Sequence, residues 1–492
     1  MTYYRTRLYP LFACLALMPG GCSVGPNYRV PNTQTPAAYD GAEQTAATQS
    51  SQVDQTQRPW INWWTKFNDA ELNTLIGRAV SANHELKIAT ARVQEARAME
   101  RVAQSSRYPT IDITAGYAGT HGSAAGFGSP YGIPGIDSDL YQIGFDATYE
   151  VDLFGGVRRS IEAAGDFAEA SQDERRGVQV TLLGEVARDY IALRALQRRL
   201  DVANANLRDQ RKTLEIVQRR FNNGLTTNFD VIRATAQVSA TESAIPTLES
   251  AVQQTIHQIS ILLGQPPNAL SKELADSAPI PPVPPSVPVG MPSELLRRRP
   301  DIMRAERVLA AVTAEQGVAV SDLFPHLSLG GSAGVQSRQA DNLFSQHNPS
   351  SGFYLAGPQA SWTIFDGGRR LANVDRTKAV VAQAAAAYEQ TVLNALRDVE
   401  NELVAYSQDQ ARREILIRLV SEDEQAVSIA QAKYDNGLVT LLDVLEVQRN
   451  LYTAQDQLAQ SDQSVSTDLI ALYKALGGGW ETTTDATSGK DR

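Results

Sequence analysis

One eleven-residue pattern occurs twice in the chain, at residues 221–231 and 434–444, 213 residues apart. Each copy has an aromatic residue, two polar residues, Gly-Leu, and an aspartate six residues after the glycine. Glycine adopts the left-handed conformation that ends a helix without strain, and a threonine after it can cap the next helix. Because long apolar-periodic segments flank both copies, the pattern predicts two helical hairpin tips in an internally duplicated chain.

Each half also contains segments that alternate between apolar and polar residues, which is the period of a β-strand. Residues 141–152 keep this alternation for 12 residues, the length that a tilted strand needs to cross a bilayer. Strands in soluble sheets are usually about half as long. The alternation predicts four such strands, at residues 110–117, 141–152, 326–336 and 353–365.

Four strands are too few to close a barrel. In lipid, every unpaired backbone group at an open sheet edge costs several kcal/mol, because no water is present to bind it. If these strands cross a membrane, we therefore expect other copies of the chain to complete the barrel.

Long helices connect the strands to the two tips. Apolar residues recur at heptad spacing from Leu182 to Phe221. A helix over residues 157–221 would be about 100 Å long at about 1.5 Å per residue. A second helix of this kind is predicted at 369–434, and a shorter helix returns from each tip.

These patterns divide the chain into a signal peptide (1–21), an extended arm (22–58), a first repeat (59–264), a proline-rich connector (265–292), a second repeat (293–477) and a disordered tail (478–492). Each repeat consists of a helix, two barrel strands and a long helical hairpin. The strands lie within 110–152 and 326–365, and the hairpins span 157–263 and 369–476. The predicted fold class is an internally duplicated α+β membrane protein.

The first 22 residues resemble a lipoprotein signal peptide. Arg5 and Arg7 precede an apolar run, and small residues precede Cys22. Pro19 stands where such signals usually carry an aliphatic residue, so an ordinary secretory signal with an incidental cysteine stays open as an alternative. If Cys22 is lipidated, it becomes the mature N-terminus, and its acyl chains add to the anchoring of the protein. Ser23 after it is typical of lipoproteins that pass to the outer membrane.

Composition argues against several other functions. The net charge of −10 argues against nucleic-acid binding. Cys14 and Cys22 are the only cysteines, and the five histidines are scattered, so we predict no metal site built from thiolates or histidines. The glycine-rich segment 330–334 lacks the Gly-Lys-Ser/Thr of a phosphate loop. We therefore expect no catalytic residues and no cofactor.

Together these features resemble the TolC-like outer-membrane efflux proteins, and among them the lipoprotein subgroup that serves resistance–nodulation–division pumps. The resemblance is carried by residues 22–28, 63–64, 67–69, 295–302 and the two tips. It implies a homotrimer with a twelve-stranded barrel in outer-membrane lipid and a twelve-helix periplasmic tunnel. It also implies a periplasmic adaptor, an inner-membrane transporter and passive exit of drugs or other small molecules.

In this family an acidic ring narrows the periplasmic end of the tunnel. By motif position the resemblance assigns this gate to Asp443 and Glu446, which lie one helical turn apart. Repulsion among carboxylates repeated around a three-fold axis would favour cation binding or opening. The alternative is that Asp443 only caps its helix.

The resemblance further assigns a latch between the hairpins to Asp230 and Tyr434. Some family members add an arginine two residues after the second glycine, where this chain has Val439. The residues assigned to the latch and to adaptor contact are Asp230, Tyr434, Gly224, Leu225, Gly437 and Leu438.

Two other functions remain open for the whole chain. It could be the outer-membrane channel of a type I protein secretion system, which has the same architecture. It could also be a structural periplasmic coiled coil, although the 12-residue alternating strand argues against that.

Overall fold

The computed structural model describes residues 23–40, 52–54, 61–121, 137–284, 286–289, 291–344 and 351–481. The predicted signal peptide and Cys22 lie outside the described residues, as do residues 482–492 of the predicted tail. None of the described helices is long and apolar enough to cross a membrane.

Seven α-helices and six β-strands make up the described part of the chain. In chain order they are β1 (Gln52–Asp54), α1 (Ala70–Ala82), α2 (His84–Ser105), β2 (Thr110–His121), β3 (Asp137–Val151), α3 (Gly156–Asn222), α4 (Asn228–Leu262), β4 (Ser286–Pro288), α5 (Pro300–Ser321), β5 (His326–Ser337), β6 (Gly352–Ser361), α6 (Arg369–Asp435) and α7 (Leu441–Ala475). Short 3-10 helices lie at Trp63–Phe67, Pro292–Arg297 and Ala340–Asn342. The order of helix, two strands, long helix and return helix occurs twice, as the sequence predicts. We refer to α3 with α4 as the first hairpin and to α6 with α7 as the second.

The described residues form two compact units. The first contains residues 23–31, 94–169 and 306–386, and includes the four long strands. The second contains residues 32–93, 170–305 and 387–481, and includes the main apolar core and both tips.

The four long strands form one antiparallel sheet in the order β2-β3-β5-β6. The two halves of the duplicated chain therefore meet at the β3–β5 pair, where Ile143 lies opposite Val335. Along β2 and β3, apolar residues pair with apolar residues, as Ile113 does with Phe145. Both of these side chains are exposed in the single chain, so this sheet face is apolar and uncovered. Strand β6 ends at Ser361, four residues before the predicted end, because its partner β5 begins at His326, which pairs with Ser361. Pro325 before His326 has no N–H to continue the ladder.

A glycine pair allows the two halves to approach closely at this seam of the sheet. Gly144 lies directly opposite Gly334. A Cβ atom added to Gly334 would lie 2.3 Å from the Ile143 oxygen, and one added to Gly144 would lie 2.9 Å from the Ala333 oxygen. Any side chain at Gly334 would thus push the strands apart, which explains the glycine in physical terms.

The predicted helix near the start of each repeat is interrupted in both halves. In the first half it divides at Asn83 into α1 and α2. The side-chain Nδ2 of Asn83 donates to the Leu262 main-chain oxygen at 2.8 Å. The Oδ1 of the same side chain accepts from the Leu86 main-chain N–H at 2.9 Å. The Asn83 side chain caps α2 and attaches it to the end of α4. The apolar residues therefore keep their periodicity across the break, although the helix itself is not continuous.

The arm and the connector, both predicted to be extended, pair with each other. Residues 52–54 form a parallel two-stranded sheet with residues 286–288. The connector also contributes Leu270 and Leu274 to the main core of the second unit, together with Tyr39 of the arm. These parts of the arm and the connector therefore belong to the folded second unit.

The Arg-Arg-Pro-Asp block closes the C-terminal end of α7. The Arg298 guanidinium donates from Nε and Nη2 to the Leu476 oxygen at 2.9 and 2.6 Å. Arg299 donates from Nη1 to the Ala475 oxygen at 3.1 Å. Both cations thus satisfy carbonyls that a helix end leaves unpaired, and they oppose the negative end of the helix dipole.

The prediction of a disordered tail from residue 478 is wrong for residues 478–481. The Trp480 indole donates to the Arg298 oxygen at 3.1 Å, and the Arg176 guanidinium lies 4.4 Å from the Trp480 ring centroid. One aromatic residue in a polar segment is a weak sequence signal for an ordered structure, because the residues that it contacts lie far away in the chain.

A pair of carboxyls inside the second hairpin makes stability depend on pH. Burial and the neighbouring carboxyl of Asp409 raise the pKa of Asp468 to about 7. Its unfolded value is near 3.8, so the folded state holds this proton more tightly. The contribution of Asp468 to stability is then fully present at low pH and is lost as the pH rises from about 4 to about 7.

We expect Asp468→Asn to remove this fall, because the amide cannot ionise. Melting temperatures of the purified protein, measured between pH 5 and pH 8, should decline less steeply for the variant than for the parent. Asp375→Asn, which changes an exposed carboxylate paired with Lys378, is the control. An unchanged slope in Asp468→Asn would contradict the assignment.

Candidate functional site

The two tips have the same main-chain structure. Gly224 and Gly437 both have positive φ values, 71° and 73°. The amide after each glycine donates back to the helix it follows, from Leu225 to the Arg220 oxygen at 2.8 Å and from Leu438 to the Lys433 oxygen at 2.9 Å. This is the hydrogen-bond pattern that ends a helix on a left-handed glycine. The structure therefore places a turn where the sequence predicts a tip.

The aspartate of each tip completes a capping box with the threonine that caps the following helix, Asp230 with Thr227 and Asp443 with Thr440. The Asp230 Oδ2 accepts from the Thr226 hydroxyl at 2.5 Å and from the Thr227 hydroxyl at 2.9 Å. The Asp443 Oδ2 accepts from the Thr440 amide at 2.8 Å and from its hydroxyl at 2.6 Å. These hydrogen bonds, from Thr226 and from Thr440, lower the pKa of each carboxyl and keep it ionised. The capping alternative for Asp443 thus has a clear geometric basis.

Glu446 lies one turn further along α7 and is exposed, like Asp443. The carboxylates assigned to the gate are therefore both accessible in the single chain. Both hydrogen bonds from Thr440 go to the Oδ2 of Asp443, so the Oδ1 atom takes no part in these two bonds. Capping and a charged ring are consequently compatible functions of one side chain.

Tyr434 lies inside a small apolar cluster at the tips. It is 5% exposed and packs with Val217, Ala234, Leu441 and Val444. Burial raises the pKa of its hydroxyl, and the nearby Asp230 charge acts in the same direction. Within the described tips, no hydrogen bond joins the side chains of Asp230 and Tyr434. The structure brings the two residues near each other but does not link them directly.

Arg220, which no sequence motif singles out, contacts Tyr434. Its Nη1 donates to the Tyr434 main-chain oxygen at 3.0 Å, and its guanidinium carbon lies 4.7 Å from the Tyr434 ring centroid. The first hairpin thus holds the second through an arginine. Heptad spacing along α3 is the sequence signal that could have identified it.

The described N-terminal residues lie at the junction of β3 and α3. The Val24 amide donates to the Phe154 oxygen at 3.1 Å. Gly155 has φ of 85°, and a Cβ added there would lie 2.8 Å from the Cα of Ser23. Phe154 stacks on Phe324 with 4.7 Å between ring centroids. The residue that follows Cys22 is therefore held where the sheet ends, next to a stacked pair of phenylalanine rings.

Comparison with known proteins identifies the family to which the chain belongs. Residues 75–265 and 291–478 match the sequence model of the family described as outer membrane efflux protein. The chain belongs to this family. The family, the fold class and the role as outer-membrane channel component of an efflux pump, all predicted from the sequence, are thereby confirmed.

Individual relatives match along almost the whole chain. The solvent efflux pump outer membrane protein SrpC of Pseudomonas putida is 32% identical over 474 residues, covering 96% of this chain and 98% of that protein. Nodulation protein T of Rhizobium leguminosarum bv. trifolii is 32% identical over 491 residues, covering 97% and 98%. The structure of the outer-membrane channel OprN superposes with a TM-score of 0.86 and 34% identity, covering 93% of this chain and 100% of that one.

The caps can be tested independently of transport. We expect Thr227→Ala and Thr440→Ala each to cost about 1 kcal/mol of local helix stability. Hydrogen exchange should therefore quicken in the first turn of α4 or of α7, respectively. Thr235→Ala and Thr453→Ala, which remove hydroxyls bonded within the same helices, are matched controls. Equal effects of cap and control variants would contradict the capping geometry.

Proposed function

We propose that three copies of this chain form a continuous duct through which drugs or other small molecules leave the cell. One copy presents a four-stranded sheet whose outer strands, β2 and β6, each have one unpaired edge. Three copies would pair these edges and form a barrel of twelve strands, which lipid requires. Its uncovered apolar face, with Ile111 and Ile113 66% exposed, suits contact with lipid. Passive exit through such a duct needs no catalytic step.

The partners of the proposed trimer are a periplasmic adaptor and an inner-membrane transporter. Exposed apolar side chains at both tips support adaptor docking, since exposed apolar groups mark interaction surfaces. They are Leu225, Phe229, Ile232, Leu438 and Leu442. The energy for transport would be supplied by the transporter.

As the transported cargo of this chain, small molecules are better supported than secreted proteins. One relative is named a solvent efflux pump protein, and another is named a pyoverdine export protein. These names favour small-molecule efflux over the type I protein secretion alternative. A growth assay against a panel of solvents and antibiotics, in cells with and without the gene, tests this choice.

Asp443 and Glu446 form the proposed gate, and Cys22 the proposed lipid anchor. The Oδ1 atom of Asp443 and the exposed Glu446 carboxylate support an acidic ring in the trimer.

The position of Ser23 beside Gly155, at the end of β3, supports acyl chains entering the membrane there. Both roles are carried by single side chains, so each can be tested by substitution.

We expect Asp443→Ala to raise the single-channel conductance of the purified protein in planar bilayers, because it shortens the side chains of the ring that narrows the periplasmic end of the pore. Thr440→Ala is the decisive control, since it removes the cap partner and keeps the carboxylate. Equal conductance changes in the two variants would assign Asp443 to capping alone. An unchanged conductance in Asp443→Ala would contradict the gate.

Lipidation is tested on the mature N-terminal peptide. We expect mass spectrometry to find acyl chains on Cys22, and Cys22→Ser to lose them. A free cysteine at this position, or cleavage at another residue, would contradict the anchor.

A further inference from the structure

Four residues at successive heptad positions of α3 make polar contacts with the second hairpin. They are Arg199, Asn206, Thr213 and Arg220, and their partners are Asp456, Gln455, Gln448 and the main-chain oxygen of Tyr434. The distances are 2.6, 3.1, 3.0 and 3.0 Å. Residues seven apart share one face of a helix. We name this row of contacts the polar seam.

The polar seam spans the stretch of α3 between two apolar clusters. Among the described residues of α3, the large core extends to Leu196 and the tip cluster begins at Leu214. Between them, Thr213 and Gln448 are only 3% and 9% exposed. The Oε1 of Gln448 and both amide atoms of Gln210 have no hydrogen-bond partner among the described residues. Unpaired buried polar groups regain hydration when surfaces part. This gain offsets part of the cost of exposing Val202, Ala203 and Leu207, which are also buried on this stretch of α3.

Arg220 closes the polar seam at the tip and differs from its other members. Its acceptor, the Tyr434 oxygen, is also the acceptor for the Gly437 amide that forms the second turn, at 3.0 Å. A cation at this carbonyl opposes the negative end of the α6 dipole. Its position over the Tyr434 ring adds a cation–π contact. One side chain of the first hairpin thus holds both the end of α6 and the buried ring of the second tip.

We propose that Arg220 is the positioning residue that keeps the second tip closed against the first, and that the polar seam behind it is the joint at which the hairpins part. This inference rests on the proposed function, in which the tips form the gate. Opening requires the second hairpin, which carries Asp443 and Glu446, to move away from the first. The Arg220 contacts break first in such a movement, because they are nearest the end of the tunnel helices.

The test compares three variants of the full-length protein. Arg220→Ala removes both contacts with Tyr434. Arg220→Lys keeps the charge but loses the planar group that stacks on the ring. Arg211→Ala is the matched control, because Arg211 lies nine residues earlier on α3 and pairs with Glu242 inside the first hairpin.

Hydrogen exchange across residues 430–445 measures the latch without reference to transport. We expect about tenfold faster exchange in Arg220→Ala, which corresponds to about 1.4 kcal/mol of local stability. Arg220→Lys should lie between Arg220→Ala and the parent, and Arg211→Ala should match the parent. Unchanged exchange in Arg220→Ala would overturn the latch.

Single-channel conductance in planar bilayers then tests whether the latch controls the pore. We expect Arg220→Ala to raise conductance and Arg211→Ala to leave it unchanged. If Asp443→Ala raises conductance and Arg220→Ala does not, the inference fails while the proposed gate stands. If neither variant changes conductance but exchange quickens in Arg220→Ala, the gate itself is wrong and Arg220 only stabilises the tip, which also overturns the proposal.

Discussion

Backbone hydrogen bonding in the four-stranded sheet is the constraint on which the rest of the structure depends. The two halves of the duplicated chain join at the β3–β5 pair, where Gly144 and Gly334 let the strands approach closely. This pairing brings both strand hairpins into one sheet and leaves only β2 and β6 with open edges. In lipid such edges must be paired. The proposed assembly with identical copies would meet this requirement, and each long helix begins within eight residues of the strand before it.

The two tips show how a duplicated motif acquires different surroundings. Their turns, glycine conformations and aspartate caps agree closely. The aromatic residue before each turn does not, because Phe221 is 42% exposed whereas Tyr434 is buried beneath Arg220. In the first tip, Arg233 lies over Phe229 instead, at 4.5 Å from the ring centroid. The same local signals therefore give one tip whose aromatic side chain is exposed and one whose aromatic side chain is held by the other hairpin.

Local signals predicted the elements well and their interruptions poorly. Alternation and heptad spacing placed the four long strands and the two hairpins within a few residues of their observed bounds. The break at Asn83 was missed, because its cap depends on the Leu262 oxygen, which is 179 residues away in the chain. Trp480 was assigned to a disordered tail for the same reason, since its partners are Arg176 and Arg298.

The sequence by itself determined the duplication, the turns at Gly224 and Gly437, and the strand faces, because each depends on residues close together in the chain. It also provided both readings of Asp443, as a cap and as a gate residue. Only the tertiary structure showed that Arg220 contacts Tyr434 and that a row of polar contacts joins α3 to the second hairpin. Contacts between distant helices depend on their relative rotation and axial position. Packing sets both, and no single helix encodes them in its own residues.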